Sequence, residues 1–331
     1  MLLETRDLKV GYKTDHSVVE AVAGVDLKIE AGECVGLVGE SGCGKTTVGL
    51  SMTKLIPERK AVITGRVFFK GQDVLGLNAD ALRRIRGKRI SYVFQDPSSS
   101  LNPVFTIREQ LKESLPENDN PEGLVSEILK SVGLEGLIDR KKIYPHELSG
   151  GMQQRVMIAM AIAARPEVLI LDEPLTALDV TVQQQILGLI MELKNKMGLG
   201  MLFISHDLRT IFKFADRINA MYAGRIIEEG PKEKIVSCPG HPYTMGLIGS
   251  IPSREHRKKT FEGIQGNAPS FLNLPEGCKF NPRCKFRIDR CVEREPELEE
   301  VVPGHFSRCI RAKELISCGA HKSKPPKENF S

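Results

Sequence analysis

Residues 39–46 read GESGCGKT, which fits the P-loop pattern G-x-x-x-x-G-K-[ST]. The apolar run at residues 34–38 predicts a buried strand before this segment, and residues 45–55 predict a helix after it. Glycines let the backbone curl so that successive N–H groups point at phosphate oxygens, and the helix presents its positive end to the same anion. The chain must therefore build a strand, loop and helix here, and we expect it to bind a nucleoside triphosphate.

Each position of this segment has an expected partner on the nucleotide. Lys45 is expected to reach the β- and γ-phosphates, and the Thr46 hydroxyl is expected to ligate Mg²⁺. The residues predicted to contact ATP in this segment are Gly39, Ser41, Gly42, Cys43, Gly44, Lys45, Thr46 and Thr47.

A second phosphate-directed segment, LSGGMQ, occupies residues 148–153. Ser149 is a favoured helix N-cap, and Gly150 and Gly151 allow the backbone to approach a phosphate closely. The alternative is an ordinary Ser-Gly-Gly helix start without a ligand. The P-loop upstream favours the nucleotide interpretation.

An apolar strand predicted at residues 168–171 ends in two carboxylates, Asp172 and Glu173. Asp172 is expected to hold Mg²⁺ through the water shell of the metal. Glu173 is expected to orient and polarise the attacking water as a general base. The alternative, a solvated acidic pair at a strand end, is disfavoured because the pair follows both phosphate-directed segments.

Four further residues complete the predicted site. His206 follows an apolar strand and is expected to contact the γ-phosphate, whereas a lone histidine in that position is usually structural. The amide of Gln95 can reach Mg²⁺ or its water. Asp179 is a candidate to reach a second nucleotide site, and Tyr12 is a candidate to stack on adenine. A partly buried strand aromatic is the alternative for Tyr12.

Together these segments resemble the ATP-binding-cassette (ABC) ATPases over roughly residues 3–230. The resemblance implies an α/β nucleotide-binding domain with a P-loop α/β core, an antiparallel β subdomain and a helical subdomain. It also implies that two cassettes close over two ATP molecules. In such a pair Ser149 would contact the γ-phosphate held by the other protomer, and Asp179 would cross the interface.

The sequence pattern changes near residue 230, where prolines and most of the cysteines begin. We therefore predict a nucleotide-binding domain at residues 1–232 and a small irregular C-terminal domain at residues 233–331. Residues 241–247, HPYTMGL, resemble the C-terminal extension of ATP-binding subunits of bacterial and archaeal dipeptide and oligopeptide importers.

Four cysteines in this extension predict a metal centre. Cys278, Cys284, Cys291 and Cys309 follow a C-x₅-C-x₆-C-x₁₇-C spacing. Four thiolates suit tetrahedral Zn²⁺ or an iron–sulfur cluster. Structural zinc sites usually bring ligands in pairs two to four residues apart, and no pair here is that close. Together with the resemblance, the wider spacing favours a [4Fe–4S] cluster acting as a structural staple, with zinc second and unligated core cysteines third. Cys34, Cys43, Cys238 and Cys318 are left out.

The resemblance implies an ATPase that hydrolyses ATP to ADP and phosphate to power peptide import through separate membrane subunits. The implied partners are a second, homologous ATPase in a hetero-dimer, two membrane permeases and an extracytoplasmic substrate-binding protein. The chain would then lie at the cell membrane, peripheral on its cytoplasmic side. The surface between about residues 95 and 116 is expected to dock a cytoplasmic helix of a permease.

Other functions remain open at this point. Nickel chelates or oligosaccharides are alternative substrates of the same importer group. A soluble ABC ATPase acting on DNA or ribosomes is a rival class, but there is one P-loop and the cysteines follow the cassette. An ATP-binding scaffold without turnover predicts loss of Glu173 or His206, and both are present. A net charge of +5, from 47 basic and 42 acidic residues, does not indicate a nucleic-acid surface.

Overall fold

The computed structural model describes residues 1–15, 17–116, 120–251 and 264–317. The chain divides into two compact units, and each is described by itself. The first unit comprises residues 1–3, 28–33 and 68–204. The second comprises residues 4–27 and 34–67 and the chain from residue 205 onward.

The strands and helices alternate along most of the chain. The strands are β1 (Leu3–Lys13), β2 (Val18–Ile29), β3 (Cys34–Val38), β4 (Ala61–Phe69), β5 (Gln72–Asp73), β6 (Ile90–Val93), β7 (Val168–Asp172), β8 (Gly200–Ser205), β9 (Arg217–Tyr222), β10 (Arg225–Pro231), β11 (Glu299–Val302) and β12 (His305–Ser307). The helices are α1 (Lys45–Met52), α2 (Ala79–Ile85), α3 (Pro97–Ser100), α4 (Ile107–Ser114), α5 (Pro121–Ser131), α6 (Gly150–Ile162), α7 (Val180–Met197), α8 (Leu208–Phe214), α9 (Lys232–Ser237), α10 (Pro242–Gly249), α11 (Arg290–Glu293) and α12 (Ala312–Ser317).

The first unit is built on three parallel strands in the order β8-β7-β6. Every residue of β7 is buried, because the strand has a neighbour on each side. Ile90 pairs with Val168 at one end of β7, and Asp172 pairs with Ile204 at the other. A continuous apolar run is what a parallel strand covered on both faces requires. The predicted central strand is therefore confirmed, and both β6 and β7 deliver their carboxyl ends to the same sheet edge.

Helices α3 to α6 follow β6 in the same unit. Helix α4 begins with a capping box, in which Thr106 and Glu109 satisfy each other's backbone N–H groups. Its apolar side chains Ile107 and Leu111 are buried. Helix α6 carries the Ser-Gly-Gly segment at its N-terminus. This helical layer holds the second phosphate-directed segment in a defined position.

The second unit contains the strand that leads into the P-loop. β3 pairs with β9 in parallel, with Val35 opposite Arg217, and β10, β12 and β11 continue outward as antiparallel neighbours. β11 and β12 come from the segment predicted as a separate C-terminal domain. The C-terminal segment therefore extends the sheet of the P-loop unit at β10.

The strand-like stretches at residues 18–22 and 25–29 form one strand, β2. Gly24 lies between them with φ +77°, a left-handed conformation that lets the strand bend without ending. The Thr5 hydroxyl donates to the Val25 carbonyl and accepts from the Leu27 amide, which repairs the pairing beside the bend. The expected α/β class is confirmed. The two stretches form one continuous strand because the chain bends at Gly24 without leaving the sheet.

Candidate nucleotide-binding site

The P-loop of the second unit connects the end of β3 to the start of α1. Gly44 is the N-cap of α1 and has φ +110°. A Cβ atom at Gly44 would lie 2.5 Å from the carbonyl oxygen of Ala21, and a Cβ at Gly39 would lie 2.2 Å from the carbonyl oxygen of Met221. Both positions therefore require glycine, because the neighbouring backbone carbonyls leave no room for a Cβ atom. The loop passes over these two carbonyls and leaves Ser41 and Gly42 exposed.

Lys45, the first residue of α1, is buried. Its Nζ donates to the carbonyl oxygens of Gly39 and Glu40 at 2.8 and 2.9 Å. The carbonyl of Cys43 accepts from the amide of Gly224 at 3.0 Å. Burial raises the pKa of the Cys43 thiol, so this side chain is neutral at pH 7. The lysine therefore points back into the loop, where bound phosphate oxygens are expected.

Two other predicted residues meet beside α1. The hydroxyl of Tyr12 lies 3.1 Å from the hydroxyl of Thr47, which is buried. Thr46 is exposed at the start of the same helix. The bond fixes the ring of Tyr12 to the P-loop helix. Stacking of Tyr12 on adenine stays a prediction.

In the first unit, Asp172 is a buried carboxylate at the end of β7. The hydroxyl of Tyr92, on the neighbouring strand β6, donates to Asp172 Oδ2 at 2.7 Å. A carboxylate removed from water needs such a donor, because its charge is otherwise costly to bury. Tyr92 therefore orients the side chain that the sequence predicts as a Mg²⁺ partner.

Glu173 and Gln95 come together in the same unit. The amide of Gln95 donates to Glu173 Oε2 at 3.3 Å, and the Thr176 hydroxyl donates to the same oxygen at 3.2 Å. Glu173 has φ +47°, and its amide donates to the carbonyl of Ile204 at 3.0 Å. Non-glycine residues seldom adopt this left-handed conformation, and such residues cluster at functional sites. The turn aims a carboxylate held by two donors out of the sheet edge.

Two N-caps of the first unit carry the residues predicted to face a second nucleotide. Ser149 caps α6, accepting from the Met152 amide at 3.4 Å, and is exposed together with Gly150. Asp179 caps α7, accepting from the Val182 amide at 2.9 Å. Both side chains therefore have a helix-capping function in this chain. An exposed N-terminus of a thirteen-residue helix also favours an anion.

His206 lies in the second unit, directly after β8 and before α8. Asp207 caps α8 by accepting from the Arg209 amide at 3.0 Å, and the Ser205 hydroxyl accepts from the Asp207 amide at 3.0 Å. These two bonds make a tight turn that leaves the His206 side chain exposed. Its contact with a γ-phosphate stays a prediction.

The four predicted cysteine ligands line one cavity in the second unit. Burial and the neighbouring cysteines raise the pKa of Cys278 to about 11 and that of Cys309 to about 12. Cys284 and Cys291 border the same space, and Cys318 falls outside the described residues. In the described part of the chain, no group of three or more histidine, cysteine or acidic side chains is arranged to hold a metal ion. The predicted metal centre is therefore not confirmed.

Several residues that support the site were not predicted from the sequence. Tyr92 and Thr176 hold the two carboxylates, and Glu40 and Arg283 form an ion pair beside the P-loop. Tyr92 lies on the strand that leads to Gln95, and this position was a usable signal. Nothing local in the sequence indicates the other pair, because its members are 243 residues apart.

Comparison with known proteins decides the family. The family model described as "ABC transporter" matches residues 22–176, and the model described as "Oligopeptide/dipeptide transporter, C-terminal region" matches residues 227–291. The probable peptide ABC transporter ATP-binding protein y4tR of Sinorhizobium fredii is 43% identical over 324 residues, which cover 96% of this chain and 97% of the relative. The chain belongs to the ATP-binding proteins of peptide ABC transporters.

Other proteins similar to this ABC transporter ATP-binding protein support the same family assignment. The oligopeptide transport ATP-binding protein OppD of Mycobacterium tuberculosis is 43% identical over 323 residues, covering 96% of this chain and 52% of that protein. Among solved structures, the dimeric ATP-binding cassette MJ0796 bound to ADP and Pi is 28% identical with a TM-score of 0.61. The match covers 70% of this chain and 99% of that one. Members of the family are ATPases, and this chain hydrolyses ATP.

The family acts at membranes through partner proteins. Among the described residues, no helix has the length and apolar character needed to cross a bilayer.

Proposed function

We propose that this ATPase powers the uptake of peptides through separate membrane permeases. The single observation that carries the proposal is the C-terminal region at residues 227–291, which matches the oligopeptide/dipeptide transporter model and follows a complete ATPase cassette. Relatives named for peptide transport cover 96% of the chain, which supports the same substrate class. Nickel chelates and oligosaccharides are the alternative substrates.

In this proposal the P-loop binds the phosphates of ATP. The backbone around Ser41, Gly42 and Gly44 curves about the phosphates, and the buried Lys45 turns its Nζ from loop carbonyls to phosphate oxygens. Tyr12, held to Thr47, packs against the adenine. The fit of ATP to this loop is supported by the close packing of Gly39 and Gly44 against backbone carbonyls and by the buried Lys45. These contacts together neutralise part of the negative charge of the nucleotide.

Thr46, Asp172 and Gln95 would hold Mg²⁺, which would neutralise part of the negative charge of the phosphates when bound. The donor set suits this ion, because Mg²⁺ prefers oxygen ligands and keeps several waters. Tyr92 orients Asp172 for this role. Asp172 is therefore held in place by Tyr92 without entering the chemistry itself.

Glu173 acts as the general base. Gln95 and Thr176 donate to one carboxylate oxygen and so orient the carboxylate that would activate the attacking water. His206 contacts the γ-phosphate and reports its presence. The exposed N-terminus of α6, with Ser149, Gly150 and Gly151, contacts the γ-phosphate held by a second cassette, and Asp179 reaches across the same interface.

The partners we propose are a second, homologous ATPase in a hetero-dimer, two permeases and an extracytoplasmic substrate-binding protein. The chain would lie at the cell membrane, on its cytoplasmic side. The segment after Gln95 supports a permease contact, because Val104 is 74% exposed and Phe105 is 42% exposed. Exposed apolar side chains in a cluster are typical of a protein contact surface. No nucleic-acid partner is proposed.

We retain residue 232 as the end of the nucleotide-binding domain, supported by the start of the C-terminal family model at residue 227. We also propose that Cys278, Cys284, Cys291 and Cys309 hold a [4Fe–4S] cluster. Four thiols around one cavity are a suitable donor set, and a cluster needs sulfurs farther apart than a single ion does. Zn²⁺ is the alternative. When bound, the cluster would staple a short segment that has little core of its own.

Transport is tested in vesicles that contain the complex of this chain with its permeases. The expected result is ATP-dependent accumulation of dipeptides or oligopeptides when the binding protein is present. Accumulation of a nickel chelate or an oligosaccharide, without peptide uptake, would replace the proposed substrate. ATP hydrolysis without uptake of any of them would reject transport.

The metal proposal is tested on anaerobically purified full-length chain. A cluster predicts brown protein with broad absorption near ~400 nm and about four irons per chain. Serine at Cys309 should abolish the colour, whereas serine at the exposed Cys238 should retain it. Stoichiometric zinc without iron would replace the cluster by zinc. Absence of both metals would remove the site.

A further inference from the structure

Glu40, the second residue of the P-loop, is held through three of its polar groups. Its amide donates to the hydroxyl of Tyr243 at 2.7 Å. Its carboxylate accepts from both terminal nitrogens of Arg283, at 2.7 and 2.8 Å. Its carbonyl accepts from Lys45 at 2.9 Å. Tyr243 and Arg283 belong to the C-terminal region, so that region contacts the P-loop directly.

Arg283 is itself fixed on every side. Its guanidinium donates to the carbonyl oxygens of Gln265 and Gly266, both at 3.0 Å. It stacks near the rings of Tyr222 and Phe280, at 5.8 and 5.9 Å from the ring centroids. Its side chain is only 7% exposed. A bidentate pair in such a setting has one geometry, because the planar guanidinium cannot rotate away.

Three aromatic rings pack together beside the P-loop and hold the residues that contact Glu40. Tyr243, Tyr222 and Phe280 pack against one another with centroids 4.7 to 5.5 Å apart, and all three are buried. Tyr222 ends β9, the strand that pairs with the P-loop strand β3. The position of Glu40 is therefore set by a rigid cluster from α10 and the Cys278–Cys284 turn.

This arrangement has a consequence for nucleotide binding. The Glu40 amide donates to the Tyr243 hydroxyl, so the amides expected to bind the phosphates are those later in the loop. A loop held in its binding shape loses less conformational freedom when the nucleotide binds. The hydrogen bonds from Arg283 to Glu40 raise the pKa of Arg283, so the guanidinium is charged at neutral pH.

We propose that Arg283 is a positioning residue for the P-loop, which sets the affinity for ATP by holding Glu40. The inference depends on the proposed nucleotide site and adds to it a specific role for the C-terminal region. Arg283 touches neither the nucleotide nor the reacting atoms. Its removal should therefore weaken ATP binding while leaving the rate of hydrolysis at saturating ATP nearly unchanged.

The experiment measures the Kd for Mg-ATP of the full-length chain by calorimetry, with Arg283→Gln, Glu40→Gln and the double variant. Each single variant should weaken binding roughly tenfold, since one charge-assisted contact is lost. The double variant should be no weaker than the singles, because the two residues act through one contact. Arg283→Lys should be intermediate, because lysine keeps the charge but cannot bond in two places.

Two further measurements separate positioning from general stability. Hydrogen exchange of the amides at residues 39–44 should accelerate in Arg283→Gln and remain slow in the control Arg287→Gln, which changes an exposed arginine of the same segment. The kcat of the Arg283 variant should stay within about twofold of wild type while KM rises with Kd. A purely structural arginine would lower the melting temperature and leave Kd and exchange unchanged.

Wild-type Kd in a folded Arg283→Gln variant would overturn the proposal. Should that variant fail to fold, Glu40→Gln decides in its place, and an unchanged Kd there would also overturn it. Lys45→Ala is measured in parallel. Wild-type binding in Lys45→Ala would contradict the nucleotide site itself, whereas loss of binding there with normal Arg283 variants would remove only this inference.

Discussion

The side-chain amide of Gln95 donates to the carboxylate of Glu173 at 3.3 Å, and this bond joins the ends of two neighbouring parallel strands. The two residues are 78 positions apart in the chain. Gln95 begins the segment proposed to contact a permease, and Glu173 is the proposed general base. A permease that moves this segment would therefore act directly on the carboxylate that we propose as the general base.

Replacing Glu173 by glutamine should retain ATP binding and lower turnover by ~10²–10⁴-fold, because an amide cannot accept the proton of the attacking water. The new amide can still accept a hydrogen bond from Gln95, so the loop keeps its position. The variant should also accumulate as an ATP-bound closed dimer. Phosphate release and gel filtration measure the two effects. Glu192→Gln, an exposed site on α7, is the control, and near wild-type hydrolysis by Glu173→Gln would refute the assignment.

Replacing Lys45 by alanine should weaken the binding of ATP itself by roughly 10–100-fold, since charge-assisted hydrogen bonds to the phosphates are lost. A fluorescent ATP analogue measures the Kd. Lys60→Ala removes an exposed lysine of the same unit and should bind normally. A large fall in kcat with unchanged Kd would mean that Lys45 acts only in the transition state.

Replacing Tyr92 by phenylalanine removes the hydroxyl that donates to Asp172 at 2.7 Å. Loss of a partner that orients a metal-binding side chain costs 10–100-fold in metal affinity or activity. We expect the Mg²⁺ concentration for half-maximal hydrolysis to rise about tenfold, with ATP affinity little changed. Tyr144→Phe removes a tyrosine hydroxyl elsewhere in the same unit as a control. An unchanged Mg²⁺ dependence would show that Asp172 needs no such support.

Replacing Val104 by aspartate should reduce transport in reconstituted vesicles and leave the hydrolysis by the isolated subunit unchanged. A charge in an apolar contact must be desolvated without a partner, which disfavours docking of the permease. Val62→Asp, at a residue 44% exposed on β4, is the matched control. Transport that stays coupled in Val104→Asp would place the permease contact elsewhere.

The spacing of the four cysteines predicts that they share one site, but it does not predict their geometry. The interval between Cys278 and Cys309 indicated one shared site, and the four cysteines do border one cavity. Spacing alone does not give the distances between sulfurs, which depend on how each turn packs.

The strand–loop–helix of the P-loop, the buried strand that ends at Asp172 and the family could all be predicted from the residues alone. These features are local, because the glycine spacing and the apolar run impose their conformation on a few neighbouring residues. The side chains that hold the site residues are known only from the folded chain: Tyr92 donates to Asp172, Gln95 to Glu173, and Arg283 to Glu40. Such pairs are brought together by strand order and chain reversal, and a hydrogen bond between distant positions leaves no periodic trace in one sequence.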